Sequence, residues 1–199
     1  MPKVKIPRKS TSIDMTAMCD VAFLLLTFFM LTTKFKPDDP TIVDTPSSIS
    51  EIKLPETDIM TITIDSADKV YFGIDGQKTR VAMLKKISDK YTVQFSPEEI
   101  HAFSLTSSFG MPVANLKQFL DMKSEQKDKV IQPGIPADSI HNELGDWILF
   151  GRQSNPKFRI AVKGDRKSSY PIVKQVIATL QERKVNKFNL ITNLETAPQ

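Results

Sequence analysis

The sequence has few of the residues that build common catalytic and metal sites. A single cysteine, Cys19, rules out an intrachain disulfide, and no Cys/His cluster shows metal-ligand spacing. The two histidines, His101 and His141, stand apart from each other, and neither belongs to a recognisable catalytic motif. With 7 glycines in 199 residues, the chain has little material for a glycine-rich phosphate loop, and none is found. The sequence therefore predicts a protein that is not an enzyme, with no metal site and no cofactor.

The net charge is also small, at +4, but it is unevenly distributed. Four basic residues lie together at the N-terminus, namely Lys3, Lys5, Arg8 and Lys9. Such an arm can bind nucleic acid or anionic lipid, or it can set the topology of a membrane segment. Because a long apolar run follows it, we interpret residues 1–12 as a cytoplasmic basic arm and expect no nucleic-acid partner.

The apolar run extends from Ala17 to Thr33, and its only ionisable side chain is Asp20. As a helix it spans roughly 25 Å, and extension backwards through Ile13 brings it to the length of a membrane span. A cleaved signal peptide is one alternative, but Lys34 follows the run where a small-residue cleavage site would stand. A surface helix of a soluble protein is another, but the run has no broad polar face. Residues 13–33 are therefore predicted to form an uncleaved transmembrane helix in a lipid bilayer.

The rest of the chain reads as a linker followed by one folded domain across the membrane from the arm. Residues 34–58 are rich in proline, aspartate and serine, which is typical of an extended periplasmic linker, with a short strand over residues 49–54 when a partner is present. Residues 59–195 alternate apolar and polar positions in strands and recur at helical spacing between them. The order predicts an α+β periplasmic domain, β-β-α then β-α-β, with helices on one face of a mixed sheet.

Residues 95–156 separate the two halves of that domain and are predicted to be a helical insertion. Ser96-Pro97-Glu98-Glu99 has the pattern of a helix start. Two further helices are indicated by apolar spacing, one around Leu116 and one around Trp147.

Asp20 is the side chain that most strongly suggests a function. A carboxylate within an apolar span costs about 2.5–3.5 kcal/mol on insertion scales, so such groups usually have a role. At about 100° per residue, Thr16, Asp20 and Thr27 lie within roughly 40° of one another, and Lys34 falls near the same line. This polar stripe must face other helices, because a lone helix cannot hide it from lipid. The alternative to a proton or ion carrier is a structural aspartate bonded to a neighbouring helix.

Two segments of the chain resemble a known family. The N-terminal segment SIDMTAMCDVAFLLLTFFMLTT resembles the membrane anchor of the ExbD/TolR family of proton-motive-force energy-transducing proteins, with Thr16-Ala17 where Thr-Pro is common. The segment FRIAVKGDRKSSYPIVKQVIATLQERKVNKFNLIT resembles the end of the family's periplasmic domain, with Asp165, Tyr170 and Val173 at its turn and helix positions. The resemblance covers roughly residues 1–91 and 158–192.

The resemblance implies a place and a set of partners. The chain would be a single-pass protein of the bacterial inner membrane, present as a homodimer within a ring of ExbB-like helices. Asp20 would carry protons, and the complex would energise TonB-dependent transport across the outer membrane through a TonB-like transducer. IVDTPSS and CDVAFLL favour the ExbD branch, whereas a TolR-like chain would serve an envelope-maintenance motor.

Three other functions are weighed against this one. A passive anchored scaffold would use the periplasmic domain to bind a partner or the cell wall. An anchored periplasmic enzyme is disfavoured by the lack of a nucleophile–base or metal motif. A flagellar-type stator also uses an anchor aspartate, but it would normally carry a longer region with a cell-wall-binding domain.

Overall fold

The computed structural model describes residues 15–32, 41, 43–45, 47–48, 57–122, 127, 130–138, 141–191 and 193–194. The chain divides into two compact units, Met1–Lys36 and Pro37–Gln199, which we treat separately. The predicted basic arm, the start of the predicted membrane helix, Thr33, Lys34 and the predicted strand over residues 49–54 lie outside the described residues.

The first unit contains helix α1, Met15–Thr32, whose sequence is apolar except at a few positions. Leucine, methionine and alanine favour a helix, and the run contains no glycine or proline to interrupt it. None of its residues is buried. Helix α1 is therefore not stabilised by packing against other residues in the described part of the chain.

The second unit is built on a five-stranded mixed sheet. Its strands are β2 (Ile59–Ile64), β3 (Val70–Ile74), β4 (Ser108–Phe109), β5 (Arg159–Gly164) and β6 (Phe188–Ile191), in the spatial order β4-β3-β2-β5-β6. Strand β3 is antiparallel to β2 and β4, whereas β5 is parallel to β2 and β6. Two short strands, β1 (Ser47–Ser48) and β7 (Asn193–Leu194), form a separate parallel pair.

Among the described residues, five helices accompany the sheet: α2 (Gln77–Tyr91), α3 (Pro97–Leu105), α4 (Val113–Asp121), α5 (Glu143–Ser154) and α6 (Tyr170–Glu182). Helix α3 begins at the predicted helix start, with a capping box in which the Ser96 and Glu99 side chains each accept a backbone N–H of the other residue. Ser169 is the N-cap of α6, but its hydroxyl makes no capping bond. The predicted α+β architecture with a mixed sheet is confirmed.

The core lies between the sheet and the helices. In β2, Met60, Ile62 and Ile64 are fully buried, and the residues between them are half-buried. This period of two is the alternation that the sequence shows, and it fixes the face on which the helices pack. Leu84 and Ile87 of α2 are buried against that face, also as their spacing predicts.

Residues 95–156 contribute more to the domain than a set of helices. They include strand β4, which the sequence interpretation missed because two residues give no alternation to detect. They also include Trp147, which is 0% exposed and packs against Phe103, Phe109 and the β3 residue Phe72, with ring centroids 4.9–6.2 Å away. The insertion therefore supplies the centre of the aromatic core.

The chain just before β1 is held against the end of β5. The Asp44 amide donates to Asp165 Oδ2 at 2.9 Å, and the Arg166 amide donates to the Asp44 carbonyl at 2.8 Å. Val43 and Thr45, on either side, are buried. Hydrogen bonds from the Lys167 and Asp44 amides hold the pKa of Asp165 below its ordinary value.

This contact is expected to weaken in acid. The pKa of Asp165 is lower in the folded protein than in the unfolded chain. The Asp165 carboxylate therefore stabilises the folded protein fully above the ordinary pKa of about 3.9, and this stabilisation is lost as the pH falls through the folded-state pKa. Hydrogen exchange of the Asp44 amide, corrected for intrinsic rates, should therefore accelerate below about pH 4 and stay constant above it. Asp165→Asn should remove this pH dependence, whereas Asp89→Asn, at an exposed position in α2, should keep it. A pH-independent wild-type rate would contradict the assignment.

Candidate functional site

Helix α1 has the dimensions and composition of a membrane span. Its 18 residues extend about 27 Å at about 1.5 Å per residue, close to the thickness of a bilayer's hydrocarbon core. Its mean hydropathy is 1.9, and none of that stretch is buried within the protein. In the described part of the chain it is the one helix that is long and apolar enough to cross a membrane. A core helix of a soluble protein would be mostly buried, which α1 is not.

Asp20 is the only ionisable acid or base in α1, and it lies in the second turn. Its side chain is exposed, and no described residue gives it a hydrogen bond or an ion pair. Large apolar side chains surround it on every side of the helix, including Val21, Phe23 and Leu24, each about three-fifths exposed. The Asp20 carboxylate is therefore exposed on a mostly apolar helix surface, where it is accessible to a partner that packs against this face.

The two threonines of the predicted stripe have different relations to Asp20. Thr16 is one turn away, about 6 Å along the axis, so residues 16 and 20 are neighbours on the helix surface. Thr27 is two turns away, about 10 Å, which is too far for direct contact. The Thr27 hydroxyl donates to the Leu24 carbonyl at 2.9 Å. Such a bond satisfies the hydroxyl proton within the helix, which lowers the cost of placing it in an apolar medium.

Cys19 precedes Asp20 and is exposed. At about 100° from Asp20 around the helix, it lies off the polar stripe. We interpret it as a small residue at a helix contact and assign it no chemical role.

The arrangement supports one type of chemistry. A carboxyl group is favoured as the neutral acid in apolar surroundings and as the anion where water reaches it. A single carboxyl group on an otherwise apolar helix can therefore take up a proton on one side and release it on another, if its surroundings alternate. Helix α1 alone provides no such alternation, so the site requires partner helices around it.

The described residues of the α+β domain contain no candidate metal centre. Among its described residues, no group of three or more His, Cys, Asp and Glu side chains is placed to hold a metal ion. His101 and His141 are both exposed. Of the residues singled out in the sequence, Asp165 follows β5, Tyr170 begins α6, and Val173 is half-buried on α6.

Comparison with known proteins gives one match, and it extends over nearly the full chain. Residues 7–195 match the family model described as biopolymer transport protein ExbD/TolR. Neither the comparison with curated proteins nor the comparison with solved structures gave a match. The matched range includes helix α1 with Asp20 and every described strand and helix of the domain. The chain therefore belongs to the ExbD/TolR family of biopolymer transport proteins.

Proposed function

We propose that this chain is the proton-carrying subunit of an inner-membrane motor that energises TonB-dependent transport across the outer membrane. Asp20 carries the proton, and Thr16 and Thr27 line its path. One observation supports this most directly: the only ionisable side chain of the apolar helix α1 has no hydrogen-bond or ion-pair partner among the described residues. Inserting such a carboxylate into a bilayer costs about 2.5–3.5 kcal/mol, and a functional role explains why the helix contains it despite this cost.

The family supports the general function. ExbD/TolR proteins are components of transport systems energised by the proton-motive force, and they are motor subunits rather than enzymes. The family implies ExbB- or TolQ-type and TonB- or TolA-type partners in general terms. Within it we favour the ExbD branch, because IVDTPSS after the anchor and CDVAFLL within it fit that branch better.

The energy available is sufficient for mechanical work. One elementary charge crossing about 100 mV releases about 2.3 kcal/mol. Several protons passing through Asp20 in turn would drive one conformational step. A homodimer of this chain inside a ring of ExbB-like helices would give each Asp20 the alternating surroundings that proton transfer needs.

The basic arm determines the proposed orientation. Lys3, Lys5, Arg8 and Lys9 precede α1, and the excess of positive charge on that side places the N-terminus in the cytoplasm. The α+β domain then lies in the periplasm, where it would meet a TonB-like transducer. Residues 34–58 would connect the two, with residues 43–45 and β1 of this segment packed on the domain.

Replacing the anchor distinguishes this function from that of a passive scaffold. A poly-leucine helix over residues 15–32 should still insert, but it should abolish gradient-dependent uptake because it has no proton-accepting group. The matched control is the same poly-leucine helix with aspartate kept at position 20 and threonine at positions 16 and 27. That control should retain measurable uptake. Full uptake with the plain poly-leucine anchor would show that the chain acts as a scaffold only.

A further inference from the structure

The α+β domain contains a surface cleft between the C-terminal ends of helices α5 and α6. It is lined by Leu149, Arg152, Gln153, Pro156 and Arg183, and its volume is about 240 Å³. The volume suits a ligand smaller than most drug-sized molecules. Two of the five lining residues carry guanidinium groups, and none carries an acid.

The buried carboxylate of Asp146 holds the Arg183 side chain in place. Its Nη2 donates to Asp146 Oδ1 at 3.1 Å, and the Asp146 side chain is 5% exposed. Asp146 Oδ2 also accepts from the Tyr91 hydroxyl at 2.8 Å and pairs with Lys90. Burial, together with this bond to Asp146, raises the pKa of Tyr91, so its phenol remains a hydrogen-bond donor. Three donors, two from α2 and one from the C-terminal end of α6, thus hold the Asp146 carboxylate, and this carboxylate orients Arg183.

Gly145 in α5 leaves room for the Arg183 guanidinium. A Cβ atom at Gly145 would come within 2.8 Å of Arg183 Nε and 3.1 Å of Nη2. Only glycine at position 145 therefore lets the guanidinium lie this close to α5. The same Nε is buried and makes no hydrogen bond among the described residues. An arginine held this way keeps its orientation before any ligand arrives, which reduces the ordering cost of binding.

Arg152 provides the second guanidinium of the cleft. It makes one long hydrogen bond, from Nη1 to the Arg183 carbonyl at 3.3 Å, and most of its five donors remain available. The cleft lining carries two cations, Arg152 and Arg183, and among the described residues only Arg183 is paired with a carboxylate, that of Asp146. The excess positive charge favours an anion.

We propose that this cleft binds a small organic carboxylate of about the size of an amino acid or a peptide terminus. The carboxylate group of the ligand lies against Arg152, whose planar guanidinium fork matches the two oxygens of a carboxylate. Arg183, whose Nη2 is already bonded to Asp146, adds a fixed positive charge beside it. The apolar part of the ligand lies against Leu149 and Pro156, which a bare inorganic anion would leave uncovered. This site is separate from Asp20, and its ligand is independent of the proton-carrying role.

The test is titration of the full-length chain in lipid nanodiscs, observed through the side-chain Nε–H NMR signals of arginine. N-acetylalanine should shift the Arg152 and Arg183 signals and saturate, at constant ionic strength. Arg152→Gln keeps a polar side chain but removes the guanidinium group, and it should weaken binding about ten-fold through loss of a charge-assisted bond. Lys157→Gln, next to the cleft in sequence but not lining it, should leave the affinity unchanged.

Three results would overturn the proposal. The Arg152 and Arg183 signals could fail to saturate, or Arg152→Gln could bind N-acetylalanine as tightly as the parent chain. Inorganic phosphate, titrated in parallel, could bind as tightly as N-acetylalanine, which would show that the apolar wall contributes nothing and the carboxylate assignment is wrong. Arg183 itself is not substituted in this test, because its loss would remove a partner from buried Asp146 and disturb the fold.

Discussion

Asp20→Asn is expected to abolish gradient-dependent uptake completely while leaving the protein in the membrane. Asparagine has nearly the same shape as aspartate and remains polar, so the helix should insert and meet its partners as before. It cannot bind and release a proton at physiological pH, so the step that uses the gradient should stop. The measurement is outer-membrane uptake of a substrate in cells that depend on this chain, with membrane fractionation to confirm insertion.

The matched control for Asp20→Asn is a substitution of the preceding residue, Cys19. Cys19→Ser changes a side chain of similar size that points about 100° from Asp20, so it should keep uptake near the parent level. Co-purification of a partner with several membrane helices, present in excess over this chain, should be the same for both variants. Full uptake with Asp20→Asn would mean that the aspartate is structural, and loss of the partner with Asp20→Asn would point to an assembly role.

Trp147→Ala is expected to destabilise the α+β domain by about 3–5 kcal/mol. The side chain is fully buried among three phenylalanine rings, and its Nε1 makes no hydrogen bond among the described residues, so the loss is one of packing and a large cavity. Denaturant unfolding of the full chain, followed by circular dichroism, measures the change. Fluorescence is unsuitable because Trp147 is the only tryptophan.

A second position in the same insertion provides the control. Ile131 is 84% exposed, and Ile131→Ala should change the free energy of unfolding by no more than about 0.5 kcal/mol. If residues 95–156 were an appended element, Trp147→Ala would leave the hydrogen-exchange protection of β2 and β5 unchanged. We expect protection to fall in both strands, because Phe72 of β3 links the tryptophan to the sheet.

The elements that the sequence predicted correctly are those with long, regular patterns. Strand β2 alternates over six residues and α1 is mostly apolar over eighteen, so a local pattern is enough to predict each of them. Strand β4 was missed because it exists only through pairing with Phe72 and Gly73, some 35 residues earlier. No local pattern could show that pairing, which arises when α2 and α3 return the chain to the sheet edge.

Asp20 and the Arg152–Arg183 cleft also differ in whether a local stretch of sequence reveals them. Asp20 could be found from the sequence because a charge in an apolar run is visible without any fold. The Arg152–Arg183 cleft was not found, because its cations lie 31 positions apart and depend on Asp146 and Gly145 for their placement. The contact of Asp44 with Asp165 spans 121 positions and was missed for the same reason. The cleft required the packing of α5 and α6 to be known, and the Asp44 contact required the position of the C-terminal end of β5.

Proton flux through the reconstituted complex tests the central claim most directly. The chain would be co-purified with its multi-helix partner, placed in liposomes with an imposed proton gradient, and followed with an internal pH-sensitive dye. Complexes with Asp20 should dissipate the gradient faster than empty liposomes, and complexes with Asp20→Asn should match the empty liposomes. Equal flux from the two complexes would contradict Asp20 as the proton carrier.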